Sequence, residues 1–227
     1  MQSEENVIGA LDVQTREQAA YDALRRAITQ GRWGPDQKLV GSRLALDFGV
    51  SRITVSNALR RLAAEGFVRL MPHKEAVVAR LDPDEVREIY LMRAELDALA
   101  ARTAAQAITP GDYAEIAWLN DEVGRLCAEP GIEIARLRAA DRSFHNRVRA
   151  VARMPRLAKT LEDLADQCEY YRARLLDPSL LFAPRPQRHG PLLAALNAGD
   201  AFASAEAMRL HVLGGMELIL NTLPRTE

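Results

Sequence analysis

The part of this sequence that most constrains its fold runs from residue 44 to residue 68, LALDFGVSRITVSNALRRLAAEGFV. Apolar residues at helical spacing on both sides of Gly49 predict two short helices joined by a tight turn. Gly49 can adopt the left-handed backbone conformation that ends the first helix, and Ser51 can cap the second. Gly66 then ends the second helix. The stretch therefore predicts a helix-turn-helix.

The second helix of this motif has two different faces. One face is apolar and carries Val55, Ala58, Leu59 and Leu62. The other is short, polar and cationic, and carries Arg52, Thr54, Ser56, Asn57, Arg60 and Arg61. Such a surface suits the DNA major groove, where base edges offer hydrogen-bonding groups. An ordinary two-helix hairpin, packed without a nucleic acid, is the alternative interpretation.

The flanking residues indicate how the chain is divided. Residues 69–80 alternate like a two-stranded wing with its tip near residues 71–75, and a helix is predicted over residues 15–30. Asp82 and Pro83 are typical of a helix start, and from there to the end only helices are predicted. We predict a flexible leader over 1–13, a winged helix-turn-helix domain over 14–80 and an all-helical domain over 81–227. The fold class is mainly α.

Charge is unevenly distributed between these domains. The overall formal charge is −1. Residues 14–80 contain 12 Lys and Arg against 6 Asp and Glu, a net charge of +6, whereas residues 81–227 contain 18 against 22, a net charge of −4. Positive charge beside the helix-turn-helix favours contact with DNA phosphates.

The chain shows no secretory signal and no apolar run long enough to span a bilayer. We therefore expect a cytoplasmic protein.

Three of the four histidines lie in the helical domain. Asp141 and His145 are four residues apart, which places a carboxylate and an imidazole on one helix face. A hairpin of the last two helices would bring His189 and His211 together. Three imidazoles and a carboxylate suit a divalent transition metal. Histidines that only pack in the core, with a simple Asp–His hydrogen bond, are the alternative.

These blocks together resemble the GntR family of transcriptional regulators, and specifically the FadR-like branch with an FCD effector domain. In the first domain the resemblance rests on ALRRAITQGRWGPDQKL, the helix-turn-helix stretch and LMPHKEAVVA. In the second it rests on IYLMRAELDALAARTAA, DRSFHNRV, RMPRL and HGPLLAALNAGDAFASAEAMRLH. It covers nearly all of residues 15–222.

The resemblance implies a homodimer that binds double-stranded operator DNA and a helical domain that binds a small organic-acid effector and dimerises. It implies that Asp141, His145, His189 and His211 are metal ligands, for zinc, nickel or manganese. Arg93 matches a family arginine and is a candidate for binding an effector carboxylate; a salt bridge to Asp97 is the alternative. Three other arginines of the same domain are interpreted as solvated: Arg142, Arg147 and Arg149.

The chain also departs from the family pattern. Ser42 and Ser56 stand where arginines are common, Asn57 replaces a common glutamate, and Glu75 replaces a wing glycine. Either the affinity for DNA is lower than in relatives, or other cationic residues compensate for the missing arginines: Arg43, Arg52, Arg60, Arg61, Lys74 and His73. The predicted DNA contacts are Arg43, Ser51, Arg52, Thr54, Ser56, Asn57, Arg60, His73 and Lys74.

The predicted function is a ligand-responsive DNA-binding regulator, a repressor, and not an enzyme. A DNA-binding protein that senses no ligand is the first alternative. A metal-dependent hydrolase fused to a DNA-binding module is the second, although the chain lacks an HExxH motif and a paired acid beside the histidines.

Overall fold

The computed structural model describes residues 16–72, 75–80, 82–175 and 189–222. The chain divides into two compact units, residues 1–80 and 81–227. The leader, the wing-tip residues His73 and Lys74, and the proline-rich segment that precedes His189 lie outside the described residues.

The first unit has a helical layer over a small sheet. Its elements, in chain order, are α1 (Arg16–Thr29), β1 (Lys38–Leu39), α2 (Gly41–Phe48), α3 (Arg52–Ala64), β2 (Val68–Met71) and β3 (Glu75–Val78). The strands are antiparallel in the order β1-β3-β2, with Val68 opposite Val78 and Leu39 opposite Ala76. β2 and β3 form the predicted wing, and β1 extends the sheet.

Local chemistry explains the turn between α2 and α3. Gly49 ends α2 with φ +63°, a left-handed conformation that a side chain would strain. Ser51 caps α3, because its side chain accepts the backbone N–H of Thr54. The apolar face of α3 is buried against α1 and α2, as its periodicity predicts.

The described part of the second unit is helical. Its elements are α4 (Pro83–Ala107), α5 (Pro110–Cys127), α6 (Ile134–Val151), α7 (Pro155–Leu175), α8 (Gly190–Asn197) and α9 (Ala201–Leu220). Asp82 caps α4, and Thr109 with Asp112 forms a capping box at α5. α4 packs along α9, where buried alanines of α4 let the two helices approach closely. No helix in the described ranges is long and apolar enough to cross a bilayer.

A polar recognition helix and a buried histidine cluster

The exposed face of α3 carries the cationic residues that the sequence places there. Arg52, Ser56 and Arg60 are all exposed. Arg43, on α2, is exposed too and pairs with Asp47 at 3.0 Å. An exposed ion pair of this kind is weak, so a DNA phosphate can compete for the guanidinium.

Two of the predicted DNA contacts also build the start of α3. Besides accepting the Thr54 N–H at 3.1 Å, the Ser51 Oγ lies 2.8 Å from the Thr54 Oγ1. Both hydroxyls therefore hold the first turn in shape. This turn presents Arg52, the first residue of the helix.

Asn57 has partners inside the protein. Its Nδ2 donates to the Glu17 Oε2 of α1 at 2.9 Å, and its Oδ1 accepts from the Arg60 Nη2 at 2.8 Å. The amide therefore ties the recognition helix to α1 and orients Arg60. Sequence reasoning missed this role because Glu17 lies forty residues away in the chain.

The second unit brings the three predicted histidines together. His145 lies on α6, His211 on α9, and His189 immediately before α8. One imidazole nitrogen from each lies within 4.8 Å of the others, and the Nε2 atoms of His145 and His211 are 3.2 Å apart. His145 and His189 are buried.

Asp141 lies at the edge of this cluster. Its carboxylate oxygens are 3.8 Å from the His189 Nε2 and 4.0 Å from the His145 Nε2. Arg172 is also near this carboxylate, with its Nη1 3.9 Å from the Oδ2.

The donor set fits a transition metal. Ligands bound at about 2.1 Å to one ion lie no more than about 4.2 Å apart. The spacings of 3.2 Å between His145 and His211 and of 3.8 and 4.0 Å from Asp141 to His189 and His145 meet that limit. One nitrogen from each of the three histidines lies within 4.8 Å of the others. Imidazole and carboxylate are also donors that zinc, nickel and manganese accept.

Two neighbours orient His189. The Asn120 Oδ1 of α5 lies 3.1 Å from its Nδ1, so that this nitrogen carries the proton and the Nε2 presents a lone pair to the cluster. Phe144 stacks on the ring, with centroids 4.0 Å apart and planes 15° apart. Sequence reasoning missed Asn120, because no local pattern connects it to a histidine 69 residues away.

Burial favours the neutral form of His145. Burial lowers the pKa of His145 well below its ordinary value of 6.5, and positive charge on His211 or His189 would lower it further. A neutral imidazole offers a lone pair, which is the form that binds a metal.

A small cavity adjoins the cluster and is rich in arginine. Its lining comprises Arg93, Asp141, Arg142, His145, Arg149, Ala165, Glu169 and Arg172. Arg93 and Arg149 are buried and share one carboxylate, that of Asp97, at 3.2 and 2.9 Å. The Arg93 Nε is buried with no hydrogen-bond partner among the described residues. Arg93 therefore forms the ion pair with Asp97 and also lines the cavity.

The interpretation of three arginines as solvated is wrong for Arg149. It lies one turn beyond His145 on α6, so the face that carries His145 also buries Arg149 against Asp97.

The other two arginines, Arg142 and Arg147, are partly exposed. Arg142, 39% exposed, pairs with Asp166 and lines the cavity. Arg147 is partly exposed and pairs with Asp112 and Glu115. Arg172, on α7, is a further cavity residue that sequence reasoning did not identify.

Two family matches cover most of the chain. Residues 16–78 match the family described as bacterial regulatory proteins, gntR family, and residues 88–214 match the FCD domain.

Several known proteins are similar to this chain. A regulator from Agrobacterium vitis, described as an uncharacterized HTH-type transcriptional regulator in the TAR-I ttuE-ttuC' intergenic region, is 31% identical over 60% of this chain and 81% of its own. The HTH-type transcriptional repressor RspR of Escherichia coli is 25% identical over 86% of this chain and 85% of its own. The solved structure of E. coli McbR/YncC superposes with a TM-score of 0.75 at 22% identity, over 91% of this chain and 98% of that one, and so shows the same fold.

The helix-turn-helix with its wing, the helical domain that follows it in the chain and these matches agree. The chain belongs to the GntR family of bacterial regulators and carries an FCD domain, which makes it a DNA-binding transcriptional regulator and not an enzyme.

Proposed function

We propose that this protein is a metal-containing repressor. Binding of a small organic acid to the helical domain changes its affinity for operator DNA or releases the DNA. The observation that carries the proposal is the cluster of three imidazoles beside an arginine-lined cavity. A regulator that only packs its histidines would not need this concentration of buried charge, which is costly to desolvate. Titration of operator DNA with and without added acid tests the proposal.

The metal would be held by His145, His189 and His211, with Asp141 completing the set. When bound, it would supply a Lewis-acidic positive charge for an anionic ligand. Asn120 and Phe144 keep the His189 ring aligned before any ion arrives, which lowers the entropic cost of assembling the site.

The effector class follows from the charges around the cavity. Arg93 and Arg149 share the single carboxylate of Asp97, so this buried group of three carries one net positive charge. The carboxylates in the cavity lining are Glu169, which pairs with Arg172, and Asp141, which is assigned to the metal. A ligand carboxylate would neutralise that charge, accept a hydrogen bond from the Arg93 Nε and reach the metal. Coupling to DNA requires only that the acid bind unequally to the two arrangements of the dimer.

An acid effector is expected to raise the melting temperature of the metal-loaded protein, whereas its uncharged amide has no effect. At one hundred times its dissociation constant, the acid stabilises the folded state by about 2.7 kcal/mol. That corresponds to roughly 5–10 °C for a chain of this size. A panel of metabolic carboxylic acids, each paired with its amide, is measured by differential scanning fluorimetry.

The variant Arg93→Gln separates binding from simple stabilisation. It is expected to lose the acid-induced shift, while its unliganded melting temperature serves as the folding control. Equal shifts in the variant and the parent protein would contradict the assignment of Arg93 to the effector. A flat response of the parent protein to every acid would favour a regulator that senses no ligand.

We also propose a homodimer built on the outer face of α4 and α9. This face exposes apolar residues that no described element covers: Leu91, Met92, Phe202 and Leu210. Arg209 donates two hydrogen bonds to Glu95 across the helix pair, at 2.8 and 2.9 Å, and also pairs with Glu206 of its own helix, so each of these charges already has a partner. A second copy can therefore meet it without unpaired charge, by the self-complementary packing of a two-fold dimer.

The substitution Leu210→Glu is expected to shift the protein from dimer to monomer. It places charge on an apolar interface, which costs several kcal/mol when two copies meet. Sedimentation equilibrium reports the change, because one chain has a mass of 25.2 kDa. Trp118→Glu, at an exposed position of α5, is the matched control and should remain dimeric. A dimeric Leu210→Glu protein would exclude this face.

A further inference from the structure

An isoleucine occupies the middle of the otherwise polar recognition face. With 100° per residue, Ile53 lies opposite the apolar stripe of α3, in line with Arg60 and flanked by Ser56 and Asn57. Its side chain is 73% exposed, although isoleucine is among the residues most often buried. Neither the sequence interpretation nor the proposed function uses this residue.

Isoleucine at this position does not stabilise the fold. The residues that bury α3 against its neighbours are Val55, Ala58, Leu59 and Leu62. Ile53 projects away from all four. Serine or lysine at this site would serve the helix equally well in water, because branching at Cβ slightly disfavours helix. Single exposed apolar side chains are common on protein surfaces, so the position of Ile53 among cationic and hydrogen-bonding groups is what points to a contact made outside the chain.

The surroundings of Ile53 identify that contact as DNA. Arg52 precedes it, the exposed Ser56 follows one turn later, and Asn57 holds Arg60 on the same side of the helix. These are hydrogen-bonding and cationic groups that match base edges and phosphates. In the major groove the one apolar group on a base edge is the C5-methyl group of thymine.

We propose that Ile53 reads a thymine by packing against its C5-methyl group in the major groove of each operator half-site. This inference rests on the proposed function, because it takes the polar face of α3 as the face that enters DNA. It names the base that the middle of the helix selects. In each half-site the thymine lies between the base pairs contacted by Arg52 and those reached by Ser56.

The test uses a duplex that the full-length protein itself selects from a random-sequence pool. Each thymine of that duplex is replaced in turn by uracil, which removes only the methyl group and keeps every hydrogen-bonding group. At one position, which occurs once in each half-site, replacing thymine by uracil should lower the affinity of the wild-type protein about fourfold per half-site. This is the loss expected for removing one methyl group that is buried in the complex. The variant Ile53→Ala should bind the thymine and uracil duplexes equally.

A matched control comes from α2. Leu46 is 78% exposed and apolar but lies outside the recognition helix, so Leu46→Ala should keep the full uracil effect. Ile53→Val, which retains a branched apolar side chain, should keep most of it. Titration at low salt keeps weak variants measurable, because phosphate contacts strengthen binding to every duplex.

The outcomes separate this inference from the proposed function. A selected duplex in which no thymine-to-uracil change weakens binding overturns the role of Ile53 and leaves operator binding intact. The same holds if Ile53→Ala retains the uracil effect or if Leu46→Ala removes it. If the protein enriches no sequence at all from the pool, the proposed function fails with it.

Discussion

Replacing Arg52 by alanine is expected to weaken operator binding by at least about thirtyfold, because a loss of about 1–3 kcal/mol at each of two half-sites amounts to about 2–6 kcal/mol. Arg52 is the first residue of α3 and is exposed. The Ser51 cap fixes the turn that presents it, so the guanidinium meets the groove on a rigid helix end. A bidentate arginine-to-base contact contributes about 1–3 kcal/mol of discrimination, and a dimer makes the contact twice. A mobility-shift titration with the selected duplex measures the change.

Three readouts keep the Arg52 result specific. The metal content and melting temperature of Arg52→Ala should equal those of the parent protein, because its side chain is far from the protein core. Arg87→Ala, which removes another exposed arginine, on α4, should leave DNA affinity unchanged. A base contact should relax sequence preference, whereas a phosphate contact should lower affinity for all sequences and flatten the salt dependence. Unchanged affinity would remove Arg52 from the interface.

Replacing His211 by alanine is expected to abolish metal-dependent stabilisation of the helical domain. The parent protein should gain about 4 kcal/mol in unfolding free energy when the free metal is a thousandfold above its dissociation constant. His211 supplies one of three converging imidazoles, with its Nε2 3.2 Å from that of His145. Its loss leaves two imidazoles and the Asp141 carboxylate, which lies at the edge of the cluster. Thermal melts of chelator-treated protein, with and without added zinc, nickel or manganese, measure the gain.

A second pair of variants tests whether the tautomer of His189 contributes to metal affinity. Asn120→Leu removes the oxygen that accepts the proton of the His189 Nδ1, so metal affinity should fall about 10- to 100-fold. Asn120→Asp keeps an acceptor and should restore affinity. Isothermal titration with one metal ion distinguishes the two variants. If His211→Ala gains as much stability from metal as the parent does, the histidines only pack and the metal proposal is wrong.

Local patterns predicted the helix-turn-helix well. Gly49 is explained by its left-handed backbone conformation and Ser51 by its capping hydrogen bond, and both depend only on neighbours within four residues. The wing strands likewise follow from short alternating runs. Asp141 and His145 are adjacent for the same local reason, a spacing of one helical turn.

The remaining features depend on tertiary contacts. His189 and His211 meet His145 only because α8 and α9 fold back on α6, and that convergence required the family resemblance. Asn57 bonds to Glu17 and Arg149 pairs with Asp97, across 40 and 52 residues. Neither partner can be chosen from charge or periodicity alone. Helical periodicity alone places Ile53 on the polar face of α3. Its significance became clear only from the structure, because α1 and α2 leave it exposed.

The most direct test of this account is selection of duplex DNA from a random-sequence pool by the full-length, metal-loaded protein at low ionic strength. The account predicts enrichment of an inverted repeat whose half-sites lie about one helical turn apart, because two α3 helices of a symmetric dimer enter successive major grooves. Addition of the acid that raises the melting temperature should then change the measured affinity. Binding without any enriched sequence, or no binding at all, would contradict it.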